Sequence, residues 1–197
     1  MSLDISGSPY ELFADWFQEA QQKESADPNA MALATATVGG MPSVRMVLLK
    51  GWSEKGFVFY TNLESRKGVE LHDNPNVALC FHWKSLEKQI RIEGPVELVD
   101  EAQADAYFNS RPRDSQIGAW ASKQSRPYEQ ADALAQRFES YRTKFSTLET
   151  IPRPPFWSGY IVKPDLFEFW VNHVNRLHER IEYKRVEDEW SGGWIYP

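Results

Sequence analysis

The sequence predicts a mainly β protein of the α+β type, an antiparallel barrel with peripheral helices formed by one domain over residues 1–197. At least seven short segments have the aromatic, β-branched or alternating composition of strands, and glycine-containing turns join several of them. The helical segments are insertions between strands, without the regular strand–helix alternation that a parallel sheet requires. A chain of 197 residues, 42% of them apolar, can bury one core without a metal or a disulfide.

The first helix is predicted from a capping box after a short N-terminal tail over residues 1–8. Ser8 is the N-cap, Pro9 takes the first helical position, and Glu11 lies three residues after the cap. An apolar face at helical spacing follows, made of Phe13, Trp16, Phe17 and Ala20.

The next segment has the periodicity of strands. Met31–Val38 and Ser43–Leu49 form a predicted hairpin around the two-residue turn Gly39-Gly40. A second turn is predicted at Ser53–Gly56, and its glycine leads into a strand over Phe57–Thr61.

Helices and strands alternate irregularly over the rest of the chain. A short helix over Ser65–Asp73 ends before Asn74-Pro75. The prolines of Ile151–Pro155 exclude a helix or a central strand and predict an extended connector. Further helices are predicted at Asp100–Ser110, Asp114–Ala121 and Glu129–Phe145, and further strands at Asn76–Trp83, Lys88–Val99, Trp157–Val162, Leu166–Trp170, Arg176–Val186 and Glu189–Tyr196.

Charge and missing motifs exclude several function classes. With 22 basic and 28 acidic residues the net charge is −6, the wrong sign for a protein that coats nucleic acid. The sequence has no dinucleotide fingerprint, P-loop, nucleophile elbow or zinc-protease motif, and its histidines and single cysteine lack metal-ligand spacing. Cys80 lies in an apolar run and is predicted to be core. Without a signal peptide or an apolar run of ~18 residues, we expect a cytoplasmic protein that does not bind membranes.

Basic residues near the C-terminus form an unusual row. In a strand over Arg176–Val186, the side chains of Arg176, His178 and Arg180 share one face. Because like charges repel, this face is either fully solvated or covered by an anionic or electron-rich ligand.

Two further basic groups accompany predicted helix starts. Arg66 and Lys67 follow Ser65 in a first helical turn, where the macrodipole favours anions by about 0.3–1 kcal/mol per charge. They form either a phosphate cradle or a solvated patch. Arg111 and Ser115, with a second arginine between them, form another candidate anion site or a solvated loop. Two phosphate-sized sites on an acidic protein indicate two phosphorylated small molecules.

A flat ring could be flanked by aromatic residues that could equally be core: Tyr60, Trp83, Tyr107 and Trp170.

Five sequence blocks in a fixed order resemble the pyridoxamine 5′-phosphate oxidase family, whose members use FMN. The resemblance covers nearly the whole chain from Pro9 onward. Its blocks are Arg45–Lys50, Phe59–Asn62 with Ser65–Lys67, Ser110–Gly118, Ser122–Ser125 and Arg176–Arg180.

This resemblance implies a split β-barrel fold and a homodimer with FMN in clefts between the subunits. The implied cofactor-binding residues are Arg45, Lys50, Tyr60, Thr61, Ser65, Arg66, Lys67, Gln89, Gln124, Ser125, Trp170 and Arg180. The implied substrate-binding residues are Lys50, Tyr107, Arg111, Ser115, Arg176 and His178, of which the last two meet the vitamer ring and are the implied catalytic residues. In this arrangement the C-terminal strands, over residues 164–197, complete the active site.

The implied reaction is the oxidation of pyridoxamine 5′-phosphate or pyridoxine 5′-phosphate to pyridoxal 5′-phosphate. The flavin accepts a hydride and dioxygen reoxidises it, giving hydrogen peroxide, and the amine substrate also releases ammonia. A related flavoenzyme of phenazine biosynthesis and a non-enzymatic FMN-binding module are the alternatives. Two features depart from the family pattern: residues 1–8 contain no arginine or lysine, and the chain ends in Trp194-Ile195-Tyr196-Pro197 where the family has Arg-Leu-x-Pro.

Overall fold

The computed structural model describes residues 5–127 and 130–197, which contain five helices and ten strands. The N-terminal part comprises α1 (Pro9–Lys23), β1 (Ala30–Ala36), β2 (Pro42–Leu48), β3 (Gly51–Ser53), β4 (Gly56–Asn62), α2 (Arg66–Asp73) and β5 (Asn76–Trp83). The remainder comprises β6 (Lys88–Leu98), α3 (Glu101–Ser110), α4 (Arg113–Ala121), α5 (Ala133–Lys144), β7 (Trp157–Val162), β8 (Leu166–Val171), β9 (Glu179–Val186) and β10 (Glu189–Trp194).

The strands form one antiparallel sheet that bends at its longest strand, β6. The main path runs β10-β9-β8-β6-β5-β1-β2. The first half of β6 pairs with β8, whereas its residues 96–98 pair with β7, which continues to β4 and β3. Gly94 stands at this change of partner, where a Cβ atom would lie 2.0 Å from the carbonyl oxygen of Lys163. Only glycine permits this approach, so Gly94 fixes the corner between the two parts of the sheet.

Helix α1 covers the concave side of the sheet and builds the main core. Its capping box is present as predicted: the Ser8 hydroxyl accepts from the Tyr10 N–H, and the Glu11 carboxylate accepts from the Ser8 N–H. Phe13 is fully buried, with its ring 4.8 Å from that of Phe57, and Trp16 meets Phe169 edge-on at 5.3 Å. Aromatic burial of this kind typically contributes several kcal/mol per residue, which ties the helix to the sheet.

A smaller core lies beneath α3, α4 and α5. It is built from Phe108, Ile117, Phe145, Ile151 and Trp157. Trp157 begins β7 and therefore joins this helical layer to the sheet. The Trp157 indole also forms part of the wall of a cleft between the helical layer and the sheet.

Most predicted elements are confirmed, and the differences have local causes. The first hairpin does not have a two-residue turn: β1 ends at Ala36, β2 begins at Pro42, and Gly40 has φ +82° in the longer loop between them. Strand β3 was not predicted, because its three residues are too short for a periodic pattern. The predicted start of the last helix at Glu129 lies outside the described residues.

The predicted strand over Arg176–Val186 is wrong at its N-terminal end. Val174–Arg176 forms a 3₁₀ turn in which Asn175 and Arg176 both have positive φ, and β9 begins only at Glu179. Arg176 and His178 therefore do not alternate with Arg180 along one strand face. The segment predicted to carry a row of charges on one strand face is instead a turn with positive φ angles followed by a strand.

Candidate functional site

A cleft of about 510 Å³ lies between β2, β4, α3 and α4. Sixteen residues line it, and eight of them are predicted site residues: Lys50, Tyr60, Thr61, Lys67, Tyr107, Arg111, Ser115 and Gln124. Three of the lining residues are cations, and within the described part of the chain no lining residue is acidic. On a protein with a net charge of −6, this is a local site for anions.

Lys67 is the most deeply buried cation of the cleft, with 8% of its surface exposed. Its amine donates hydrogen bonds to the Thr61 hydroxyl at 3.2 Å and to the Gln124 Oε1 atom at 3.4 Å. A third, longer contact joins it to the Ser65 hydroxyl at 3.5 Å; all three partners are neutral, and no described carboxylate forms an ion pair with it. Burial, and then the charge of Arg45, lowers the pKa of Lys67 below its usual range. A buried ammonium without a counterion is costly and favours a bound anion.

Arg111 is a second uncompensated cation, at the junction of α3 and α4. Its Nη1 atom is buried and has no hydrogen-bond partner in the described structure. The guanidinium lies 4.9 Å from the centre of the Trp157 ring, which fixes its plane. Burial lowers the pKa of Arg111, although this group remains charged at neutral pH. The unused donor is therefore available to an anion in the cleft.

Near-parallel aromatic rings form one wall of the cleft. The centres of the Tyr60 and Tyr107 rings are 3.9 Å apart, and Tyr60 stacks on Trp157 at 5.3 Å. The second predicted anion site contains one arginine fewer than expected. The Arg113 side chain points away from the cleft and donates to the carbonyl of Phe145 at 2.6 Å. Of the two arginines of this loop, only Arg111 lines the cleft.

Next to Lys67, a buried carboxylate organises two predicted cofactor-binding arginines. Glu70 is 4% exposed and forms ion pairs with Arg66 at 2.8 Å and Arg45 at 3.4 Å. Burial alone would raise the pKa of Glu70, but hydrogen bonds from Ser43 and Thr35 and the charge of Arg66 lower it to about 2. Glu70 is therefore ionised at neutral pH.

Two predicted cofactor residues take other places around this cluster. Ser65 is fully buried, and its hydroxyl donates to the Asn62 carbonyl and accepts from the Gly68 amide, so it caps α2. Ser125 lies with Arg66 along a neighbouring hollow of about 400 Å³ rather than in the main cleft.

The remaining predicted site residues lie elsewhere on the sheet. Gln89 on β6 is paired with Trp170 on β8, which is paired with Arg180 on β9. The His178 ring lies 4.8 Å from Trp170, and the exposed Arg176 precedes it. Four inter-strand steps separate β8 from β2, a distance of about 19 Å along the sheet. One chain does not bring these five residues to the cleft.

Three supporting residues were not predicted. Glu168 is 4% exposed and accepts from Arg180 at 2.9 Å and from Arg91 at 2.8 Å. Gln116 donates to the carbonyl groups of Phe108 and Asn109 at the end of α3 and to that of Arg111 just after it. Glu70 stands four residues after Arg66, a spacing that predicts an ion pair on a helix and could have indicated its role.

Neither a metal centre nor a membrane span is found in the described ranges. Residues 5–127 and 130–197 contain no group of three metal-ligating side chains, and none of their helices is long and apolar enough to cross a membrane.

Two family models match most of the chain. The first, described as pyridoxamine 5′-phosphate oxidase, matches residues 17–145. The second, described as the pyridoxine 5′-phosphate oxidase C-terminal dimerisation region, matches residues 157–197.

Curated relatives match the chain over nearly its full length. A pyridoxine/pyridoxamine 5′-phosphate oxidase of Sphingopyxis alaskensis is 56% identical over 197 residues, covering 100% of this chain and 91% of the relative. The protein of the same name from Rhodospirillum rubrum is 54% identical over 194 residues, covering 96% of each chain.

Solved structures confirm the split β-barrel. PhzG from Burkholderia lata, in complex with tetrahydrophenazine-1-carboxylic acid, superposes with a TM-score of 0.92 at 29% identity, covering 98% of this chain and 95% of the other. A pyridoxamine 5′-phosphate oxidase-related, FMN-binding protein from Nostoc punctiforme gives a TM-score of 0.79 at 19% identity, covering 98% and 100%, and supports the fold alone.

Proposed function

Because the chain belongs to the pyridoxamine 5′-phosphate oxidase family, we propose that its cleft binds FMN together with a phosphorylated vitamer. The function is the FMN-dependent oxidation of pyridoxine 5′-phosphate or pyridoxamine 5′-phosphate to pyridoxal 5′-phosphate. The assignment of both ligands to this cleft rests on two of its cations, the buried Lys67 and the half-buried Arg111, neither of which has a carboxylate partner among the described residues. Two phosphate groups, one from each ligand, supply the two missing counterions.

The residues around Lys67 fit the phosphate of FMN. Its ammonium is already oriented by Thr61 and Gln124, and the guanidinium groups of Arg45 and Arg66 lie around the adjoining Glu70. When bound, FMN supplies a two-electron acceptor for the hydride that leaves the vitamer, and dioxygen restores it with formation of hydrogen peroxide.

The residues around Arg111 fit the phosphate of the vitamer. Arg111 offers its unused Nη1 donor, Lys50 adds an exposed ammonium, and Ser115 adds a hydroxyl from the first turn of α4. The Tyr107 ring stacks on Tyr60 beside them. By binding the phosphate and packing beside the ring, these groups position the substrate so that its 4′ carbon is free to react.

A second subunit completes the site in this proposal. The edge strand β2 exposes three apolar side chains, Val44 (69%), Met46 (64%) and Leu48 (38%), of which the last two also line the cleft. Packing this row against the β8–β9 end of a second copy covers it, and a two-fold axis makes the contact reciprocal in an isologous homodimer. The partner's β6, β8 and β9, with the site residues Gln89, Trp170, Arg176, His178 and Arg180, then lie at the cleft in this proposal. The family's C-terminal dimerisation region, residues 157–197, contains most of that group.

Arg176 and His178 orient the vitamer ring from the partner's side. The backbone N–H of His173 donates to the Nδ1 atom of His178 at 3.1 Å, so the neutral imidazole carries its proton on Nε2. That nitrogen is then a donor toward the ligand. Trp170 packs against the same imidazole and limits its rotation.

Cofactor and substrate can be tested together on the purified protein. Flavin released by denaturation should be FMN, and the protein should oxidise both phosphorylated vitamers but not a dihydrophenazine carboxylate. Oxidation of only the phenazine substrate would assign the alternative flavoenzyme function. Bound FMN without either activity would assign a non-enzymatic module.

Mixing two variants of low activity tests whether the site is shared between subunits. Lys67→Met damages the cleft and Arg176→Ala damages the loop that the partner contributes. Random exchange of subunits gives heterodimers with one intact site, so activity should return to roughly a quarter of the wild-type value. A mixture that exchanges subunits but is no more active than the mean of the two separate variants would place both residues in one subunit's site.

A further inference from the structure

The carboxylate of Glu70 lines the hollow next to the cleft and has a role that the proposed function does not assign. It pairs with Arg45 and Arg66, which we assign, together with Lys67, to the phosphate of FMN. A buried anion at this place would repel a phosphate if it acted by charge alone. Its hydrogen bonds indicate a different role.

Besides the direct ion pair at 3.4 Å, two hydroxyl groups link Glu70 to Arg45. Ser43 donates to the Glu70 Oε2 atom at 2.6 Å, and Thr35 donates to the same atom. Each hydroxyl in turn accepts from Arg45, Thr35 from Nη1 at 2.5 Å and Ser43 from Nη2. A hydroxyl has one proton, so donation to Glu70 turns its lone pairs toward the guanidinium. Glu70 therefore fixes the direction of both acceptors that hold Arg45.

The same carboxylate holds Arg66 through its other oxygen. Oε1 accepts from the Arg66 Nε atom at 2.8 Å, which ties this 58% exposed side chain to the first turns of α2. Three cations and one carboxylate leave the cluster with two net positive charges. A phosphomonoester carries about −1.5 to −2 at neutral pH, so the cluster matches its charge.

We propose that Glu70 is a positioning residue for the FMN phosphate, acting through Arg45 by way of Thr35 and Ser43 and directly on Arg66. This inference rests on the proposed function, since it takes FMN as the ligand of the cleft. An amide in place of the carboxylate can donate to one of the hydroxyls and cannot accept from both Arg66 and the hydroxyl pair at full strength. The two arginines would then lose their fixed orientation.

Flavin titration of the ligand-free protein tests the proposal without an activity measurement. Glu70→Gln should weaken FMN binding at least tenfold and leave riboflavin binding, which involves no phosphate, within twofold of wild type. In an Arg45→Met background the same change should have a clearly smaller effect, because the residue through which it acts is gone. Thr35→Val should weaken FMN binding in the same direction but less. Glu19→Gln, which removes a carboxylate paired with Lys23 and Lys88 away from the cleft, is the control.

The remaining outcomes overturn the proposal. Equal losses for FMN and riboflavin would show a general effect on the fold. Unchanged or tighter FMN binding by Glu70→Gln would show that the carboxylate only repels the phosphate. Failure of the wild-type protein to bind FMN at all would instead contradict the proposed function.

Discussion

The cleft and the β8–β9 end of the sheet differ in whether their charged side chains have partners of opposite charge. In the cleft, the buried Lys67 and the half-buried Arg111 have no carboxylate partners among the described residues. At the end of the sheet, Glu168 pairs with Arg180 and Arg91, and Glu93 also pairs with Arg91. An unpaired buried charge costs stability, and removing one partner of a buried pair leaves the other charge uncompensated.

This difference separates residues that bind from residues that hold other residues in place. Cations of the cleft have donors left for a ligand, and their cost is offset when the ligand binds. Arg180 uses its donors within the protein, on Glu168 and on the carbonyl of Tyr196 at 2.7 Å. Substitutions in the two regions should therefore change different quantities, namely ligand affinity in the cleft and folding stability at the end of the sheet.

The largest effect is expected from Glu168→Gln. The change leaves two arginines around a neutral amide in a nearly buried position, so the free energy of unfolding should fall by about 3 kcal/mol. Denaturant unfolding of the ligand-free protein measures this. Glu19→Gln, in a more exposed pair, should cost less than about 1 kcal/mol. Equal losses in the two variants would remove the contrast between the regions.

Lys67→Met should weaken ligand binding without lowering the stability of the protein. Loss of a charge-assisted hydrogen bond worth about 1.5–3 kcal/mol should weaken FMN binding roughly ten- to hundredfold. The ligand-free protein should be as stable as wild type or more stable, because a buried, unpaired charge has been removed. Fluorescence titration and thermal unfolding on the same sample test both parts, with the exposed Lys23→Met as control. A destabilised apoprotein with normal FMN affinity would assign Lys67 to the fold.

Arg176→Ala and His178→Ala should lower the rate without loss of the cofactor. If these residues only orient the vitamer ring, flavin reduction under anaerobic conditions and saturating substrate should slow by about tenfold. Reoxidation by dioxygen should change little, and so should stability, because both residues lie in a turn outside β9. Stopped-flow absorbance separates the two half-reactions. Wild-type reduction rates in both variants would exclude the orienting role.

The smallest effect concerns pH. Because the folded pKa of Lys67 is lowered, its ammonium loses its proton at a lower pH than an ordinary lysine, and FMN affinity should fall a few-fold as the pH rises toward 10. Stability of the ligand-free protein should change with the opposite sign. Between the folded pKa and about 10.4 the unfolded chain binds more protons, so Lys67 makes stability rise with pH. Lys67→Met should remove both dependences.

Local sequence signals predicted the elements well and the assembly of the site only in part. The capping box at Ser8 and the helix over Arg66–Asp73 depend on neighbours within four residues, and both are confirmed. The distance between the cleft and Trp170 depends on strand order, which no local pattern encodes. The row of Arg176, His178 and Arg180 failed because alternation was assumed across a turn whose positive φ angles have no simple signature.

Supporting residues escaped prediction for a related reason. Glu168 and Gln116 are polar residues in otherwise ordinary segments, and their importance lies in partners that are distant in the sequence. Eight residues for which the resemblance implied a role do line the cleft, although no local pattern places them together. Roles that come from a resemblance therefore need the structure to show which of them one subunit can perform.

The central claim is that the uncompensated cations of the cleft select phosphorylated ligands, and Arg111 tests it most directly. The measurement is kcat/KM for pyridoxine 5′-phosphate and for pyridoxine, in the wild type and in Arg111→Met. Wild type should prefer the phosphorylated vitamer strongly, and the variant should lose roughly ten- to hundredfold on it while its FMN affinity and its rate with pyridoxine stay nearly unchanged. A wild-type enzyme that oxidises pyridoxine as efficiently as its phosphate, or a variant with undiminished preference, would contradict the account.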